Sequence, residues 1–193
     1  MLSRQPLPRL WLMTDERMGE RLWDALACLP RGSGVIFRHY DTRERRALFE
    51  RVRAVARRRG LILLLAGSPR EAAAWRADGA HGRSRHLCAA RPLLRTAPAH
   101  DARELARARA HAVLVSPIFA TRSHPGAPAL GVLRFAILAR QARTPLIALG
   151  GMDKRRFGRI AQLGAYGWAA IDSLHRQDDS ASARAETRDR SGR

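Results

Sequence analysis

Lysine is almost missing from this 193-residue chain. Lys154 stands alone, although Lys and Arg together number 36 against 17 acidic residues. The formal charge of +19 is therefore carried by arginine, spread through most helix-like segments and gathered into no single tract. Aromatic residues are also scarce, at 6% of the chain, and do not interleave with the basic ones as a base-stacking surface requires. These shortages argue against a specific nucleic-acid surface. They leave a positive field that attracts small anions such as phosphates and pyrophosphates. Cysteine is rare too: Cys28 and Cys88 are too few for a disulfide scaffold and suit a reducing compartment. No apolar run approaches the ~20 residues that span a bilayer, and "MLSRQPLPRLWLMTDER" lacks the apolar core of an export signal. A cytoplasmic protein with no membrane association is the expectation.

What the chain does contain is alternation. Short apolar runs at Leu10–Thr14, Val35–Tyr40, Leu61–Ala66, Gly79–His81, Leu93–Ala97, Ala112–Pro117, Leu146–Leu149 and Tyr166–Ile171 read as strands. Helical patterns lie between them at Glu20–Leu29, Arg43–Arg59, Pro69–Arg76, Ala102–Arg109, Leu130–Ala142 and Lys154–Leu163. Asp101 and Asp153 sit at N-cap positions, and Gly60 and Gly164 where helices stop. The unbroken apolarity of "LILLLA" fits a strand covered on both faces, as parallel sheets require. Eight such strands with helical crossovers predict a closed (β/α)8 TIM barrel in a single domain. A doubly wound open sheet is the competitor, but no G-x-G-x-x-G or G-x-x-x-x-G-K-[ST] follows any strand. The barrel is expected over residues 7–175. The segment 176–193, "RQDDSASARAETRDRSGR", lacks apolar periodicity and reads as a disordered tail.

In such a barrel the working face lies at the C-terminal ends of the strands. "FRHYD" follows the second strand, "SPIFATRSHPGAPALG" the sixth, "LGGMD" the seventh and "AIDS" the eighth. Gly150 and Gly151, between a strand and a helix, expose backbone N–H groups at the positive end of a helix dipole, which favours a phosphate. A plain tight turn is the alternative. His39 is expected to face away from Arg38, since strand neighbours alternate sides. His81, His86 and Cys88 match no common zinc spacing, so strand-end structural roles are expected for them. Trp11, Trp23, Trp75 and Trp168 are expected in the core.

"LPRLWLMTD", "GVIFRHYD", "ADGAH", "SPIFATRSHPGAPALG", "PLIALGGMD" and "LGAYGWAAIDSL" occur in an order and spacing that resemble the thiamine phosphate synthase/TenI family. The likeness runs from about Leu7 to Leu174. It implies a (β/α)8 barrel of thiamine biosynthesis. The synthase reaction joins hydroxymethylpyrimidine diphosphate to a thiazole phosphate and releases pyrophosphate with Mg2+ assistance. Two alternatives stay open: a catalytically degenerate TenI-like barrel that binds a phosphate ligand or regulates, and a thiazole tautomerase. The implied partners are phosphorylated thiazole and pyrimidine molecules, and self-association into a homo-oligomer is left open.

Carried over position by position, the resemblance is uneven. Thr121 and Ser123 match hydroxyl residues that contact phosphate, and His124 falls where many synthases place a lysine. Gly150 and Gly151 match the thiazole-phosphate turn, and Asp172 aligns with a phosphate-binding serine. After the second strand Arg38 is kept, but Ile36 and Tyr40 replace a Gln and a Lys. Arg38 and His124 are thus the catalytic candidates. Ala66 and Gly67 replace the Asn-Asp pair whose Asp binds Mg2+. The second metal Asp falls among Arg83, Ser84, Arg85 and His86, where no carboxylate exists, so no metal ligand is assigned. Pro98 replaces a synthase serine, while His100 matches a family histidine. The tautomerase histidine falls near Pro117 and is absent. Arg83 and Arg85 are expected to supply positive charge in the metal's stead.

Overall fold

The computed structural model describes residues 6–83, 92–121 and 128–171. Eight parallel strands close into one barrel in sequential order. They are β1 Leu10–Met13, β2 Gly34–Phe37, β3 Ile62–Ala66, β4 Gly79–His81, β5 Leu94–Ala99, β6 Ala112–Val115, β7 Leu146–Ala148 and β8 Ala165–Ala170. Six helices lie among the described residues: α1 Arg21–Cys28, α2 Arg45–Arg59, α3 Pro69–Ala74, α4 Ala102–Arg107, α5 Gly131–Gln141 and α6 Lys154–Ala161. A short 3-10 turn, Glu16–Met18, precedes α1. The expected tail, 176–193, lies outside the described residues. Among those described, no helix is long and apolar enough to cross a membrane.

Period-2 alternation divides each strand between two cores. Trp11, Met13, Ile36, Leu64, Ala66, Ala112, Leu114, Ile147 and Ala169 fill the barrel interior. Their neighbours face outward, against α1–α3 on one flank and against α5 and α6 on the other. Trp11 is fully buried and its indole Nε1–H donates to the Pro8 carbonyl at 2.8 Å. A Cβ at Gly34, its register partner on β2, would collide with the Trp11 ring; glycine is what lets the indole close the barrel there. Trp168 is also buried. Trp23 and Trp75 are only partly buried and lie beneath arginines of α2.

Strand ends depart from expectation for local reasons. β2 stops at Phe37 because the Arg38 N–H leaves the ladder for Thr14 Oγ1, at 3.1 Å. β5 runs two residues past Ala97, through Pro98. Gly82 N–H bonds Thr96 O, whereas Ser116 N–H bonds Ala99 O. Pro98 therefore presents its missing N–H to the β4 side, beyond the last β4 residue, where the ladder needs no donor.

Candidate functional site

The residues that continue the inward-facing rows form the barrel mouth: Asp15 after Trp11 and Met13, Arg38 after Ile36, His81 and Thr96 on β4 and β5. Asp15 is the hub. Its Oδ1 accepts from Arg17 Nε at 2.6 Å and from the Arg17 backbone N–H at 3.1 Å, and its Oδ2 from Arg17 Nη2 at 3.0 Å. Oδ2 also accepts from Arg38 Nη2 at 2.5 Å. These bonds, chiefly those from the Arg17 side chain, hold the Asp15 carboxyl well below the usual carboxylate range despite its burial. Two guanidinium charges thus meet one carboxylate, leaving the cluster net positive. The Arg38 side chain is 22% exposed, and Nη2 to Asp15 is its only side-chain bond among the described residues. The rest of its fork is available to an anion.

Beneath Arg38, His81 Nδ1 pairs with Thr96 Oγ1 at 2.8 Å. Burial, with a smaller contribution from the Arg38 charge, pushes the His81 imidazole down to about 4, so it is neutral at pH 7. This is the structural strand-end role expected of it. His39 does face away from Arg38: it stacks on outward-facing Phe37 at 4.8 Å, and its Nδ1 pairs with Thr14 Oγ1 at 2.9 Å. Burial lowers its affinity for a proton as well.

On the β2–β3 side of the mouth stands Arg45, which the motif reading passed over. Its Nη1 donates to Glu71 Oε1 at 2.8 Å and its Nη2 to the Ala66 carbonyl at 2.7 Å, while Nε donates to the His39 carbonyl. The guanidinium also lies over the Trp75 ring, 5.1 Å from its centroid. All three nitrogens are committed, so Arg45 pins the ends of β2 and β3 and the first turn of α3 together. The only sequence signal was its place at the start of a helix directly after the site strand.

Opposite, the diglycine turn and the loop after β6 are built as one unit. Ile118 N–H donates to Leu149 O at 2.9 Å and Phe119 N–H to Gly150 O at 3.1 Å. Gly150 and Gly151 have φ of +92° and +59°, the left-handed region that favours glycine. A Cβ on Gly150 would lie 2.7 Å from Pro117 Cα, and one on Gly151 2.6 Å from the Ala120 carbonyl oxygen. Arg156 donates to the Gly151 carbonyl, and its guanidinium carbon lies 4.9 Å from the Phe119 ring centroid. Asp153 caps α6 by accepting the Arg156 N–H at 2.7 Å. At the far end of the loop, Leu130 N–H returns to Pro117 O at 2.9 Å and Gly131 N–H to Ile118 O at 3.0 Å. Thr121 lies just beyond Ala120 in this loop. Ser123, His124, Arg85 and Asp172 lie outside the described residues.

Arg83 has a different counter-charge from the Arg38 cluster. It is 61% exposed and pairs with Glu104 Oε1 at 2.7 Å, beside a cleft bounded by Pro98, Glu104, Arg107 and Arg109. Four carboxylates around the ends of β1–β5 are similarly engaged. Asp15 is held by two arginines. Glu16 Oε1 accepts the Tyr40 and Asp41 N–H groups. Glu71 is held by Arg45, and Glu104 by Arg83 and the His100 N–H. Among the described residues no group of three or more His, Cys, Asp or Glu is placed to hold a metal ion.

Fold and site together define a (β/α)8 barrel whose C-terminal mouth sets an arginine cluster across from a diglycine turn. The comparisons with known proteins narrow that class. The family model described as thiamine monophosphate synthase matches residues 11–174. A thiamine-phosphate synthase of Mycobacterium sp. (strain JLS) is 30% identical over 162 residues, covering 77% of this chain and 71% of the relative. A putative thiamine-phosphate synthase 2 of Aquifex aeolicus (strain VF5) is 29% identical over 180 residues, covering 86% and 96%. The chain belongs to the thiamine monophosphate synthase family. A solved thiamine phosphate pyrophosphorylase from Pyrococcus furiosus shares the fold, with a TM-score of 0.71, 22% identity and 96% of each chain covered. The Mg2+ that this family implies does not fit the described residues: Ala66 offers no ligand, and the Glu71 carboxylate against Gly67 is held by Arg45.

Proposed function

We propose that the barrel mouth joins hydroxymethylpyrimidine diphosphate to a thiazole phosphate. The C–O bond to the diphosphate breaks with both electrons leaving on pyrophosphate, and a C–N bond forms to the thiazole nitrogen. One observation carries this reading: the turn at Gly150 and Gly151 is hydrogen-bonded to the start of the Ser116–Gly131 loop. The two segments that carry the most specific family motifs therefore meet at one edge of the mouth. The left-handed glycines let the chain turn sharply under that loop and into the N-terminus of α6, whose positive dipole end favours an anion. The thiazole phosphate is assigned to that turn, together with Thr121, Ser123 and the 172 region. Arg38 faces it across the opening and is assigned to the diphosphate. Developing charge on the leaving oxygen requires a preorganised cation of this kind.

A second reading, a barrel that binds these phosphates without joining them, is favoured by Ile36, Tyr40, Ala66, Gly67 and Pro98 at positions where synthases carry polar groups. Ile36 and Ala66 are sealed into the interior core, and Tyr40 is 57% exposed. Incubating the full chain with both phosphorylated precursors and assaying for thiamine phosphate separates the two. Product that disappears in Arg38→Ala supports the synthase; saturable thiazole phosphate binding without product supports the binder.

A further inference from the structure

We infer that this chain holds a diphosphate without a divalent cation, on Arg38 braced by the Asp15–Arg17 pair. The inference rests on the family reading above and departs from what that family implies about metal. A Mg2+ ion at such a site is typically bound by one or two carboxylates together with substrate phosphates. At the end of β3 the chain offers Ala66, which is fully buried, and Gly67. A Cβ on Gly67 would lie 2.6 Å from Glu71 Oε2, so the carboxylate nearest that strand end is Glu71. Its Oε1 is ion-paired to Arg45 at 2.8 Å, and the same guanidinium bonds the Ala66 carbonyl. A cation entering here would meet the fixed positive charge of Arg45, which already holds Glu71 Oε1 and the Ala66 carbonyl. Past β4, residues 82–93 contain no carboxylate at all.

Positive charge is nevertheless present at the mouth. Arg17 grips both oxygens of Asp15, and Arg38 takes Oδ2 through a single nitrogen. Arg38 is thereby oriented by a carboxylate whose charge Arg17 already offsets. Its remaining fork can bind phosphate oxygens in two parallel bonds, which a lysine's point charge cannot do. Arg45, a few residues away on α2, adds to the field without spending its own donors on the ligand.

Isothermal titration of the full chain with inorganic pyrophosphate, in EDTA and in excess Mg2+ at one ionic strength, tests this. Saturable binding in EDTA, tightened less than about threefold by Mg2+, is expected. Arg38→Ala should weaken it at least tenfold and Arg38→Lys by less. Arg58→Ala, an exposed change in the last turn of α2, should leave it unaltered, as a diffuse attraction to a basic protein would not. Melting curves of each variant confirm that it is folded. Pyrophosphate binding that needs Mg2+, or tightens tenfold with it, overturns the inference and leaves the proposed function standing if thiazole phosphate still binds. Equal losses in Arg38→Ala and Arg58→Ala also overturn it. Failure of both pyrophosphate and thiazole phosphate to bind, with or without Mg2+, overturns the inference and the proposed function together.

Discussion

His81 makes the stability of this barrel depend on pH in a way that can be isolated. In the unfolded chain its imidazole titrates near the ordinary 6.5; in the fold, burial brings it to about 4. Between these values the unfolded state takes up a proton that the native state refuses. Stability contributed by His81 is therefore full above about 6.5, declines as pH falls, and is lost once pH has passed through about 4. Each pKa unit corresponds to about 1.36 kcal/mol, so the whole loss is ~3 kcal/mol. That is a sizeable share of the 5–15 kcal/mol, roughly, that holds a typical domain together. Urea denaturation of the wild type and His81→Asn between pH 7.5 and 4 reads it directly. Asparagine keeps a polar partner for Thr96 and cannot titrate. Groups common to both proteins, including His39 and the carboxylates, cancel in the difference. The wild type should lose about 3 kcal/mol more than the variant, at about 1.4 kcal/mol per pH unit between 6.5 and 4. Parallel curves over that range would refute the reasoning, because they would show that His81 takes up its proton as readily in the fold as in the unfolded chain.

Two other positions carry expectations of similar sharpness. Gly151→Ala should cost about 1–2 kcal/mol from its left-handed backbone alone, with more from the clash at the Ala120 carbonyl. It should also weaken thiazole phosphate binding more than tenfold; a variant with wild-type melting and wild-type affinity would remove the turn from the site. Arg45→Met leaves Glu71 and two carbonyls without their donor, so a loss of about 3 kcal/mol is expected in chemical denaturation. An unchanged midpoint would show that Arg45 pins nothing.

The strand and helix order was legible from the residues because burial on both faces writes continuous apolar runs, and the crossover helices between them write a 3.6-residue period. The tight turn at Gly150 and Gly151 was legible for a related reason: two left-handed residues in succession demand glycine wherever they occur. Arg83 shows where such reading stops. As a cation standing where an acid is expected it reads as a stand-in for metal charge, and the fold pairs it with Glu104 in the first turn of α4. Charge type is written in the sequence, but the direction of a long flexible side chain is decided by whichever counter-charge the fold brings near.

The sequence by itself determined the barrel and the segments that line its mouth, since composition and periodicity are local properties; it also shows directly that no carboxylate stands at Ala66, Gly67 or residues 82–93. Only the tertiary structure decided that Asp15, just after β1, orients Arg38, just after β2, and that Arg45 closes over the end of β3. It likewise decided that His81 sits neutral beneath them against Thr96. Each of these pairs joins residues from different β/α units, and their meeting depends on barrel closure and on the parity with which each strand enters the mouth. That long-range geometry is what turns scattered arginines into one positively charged site.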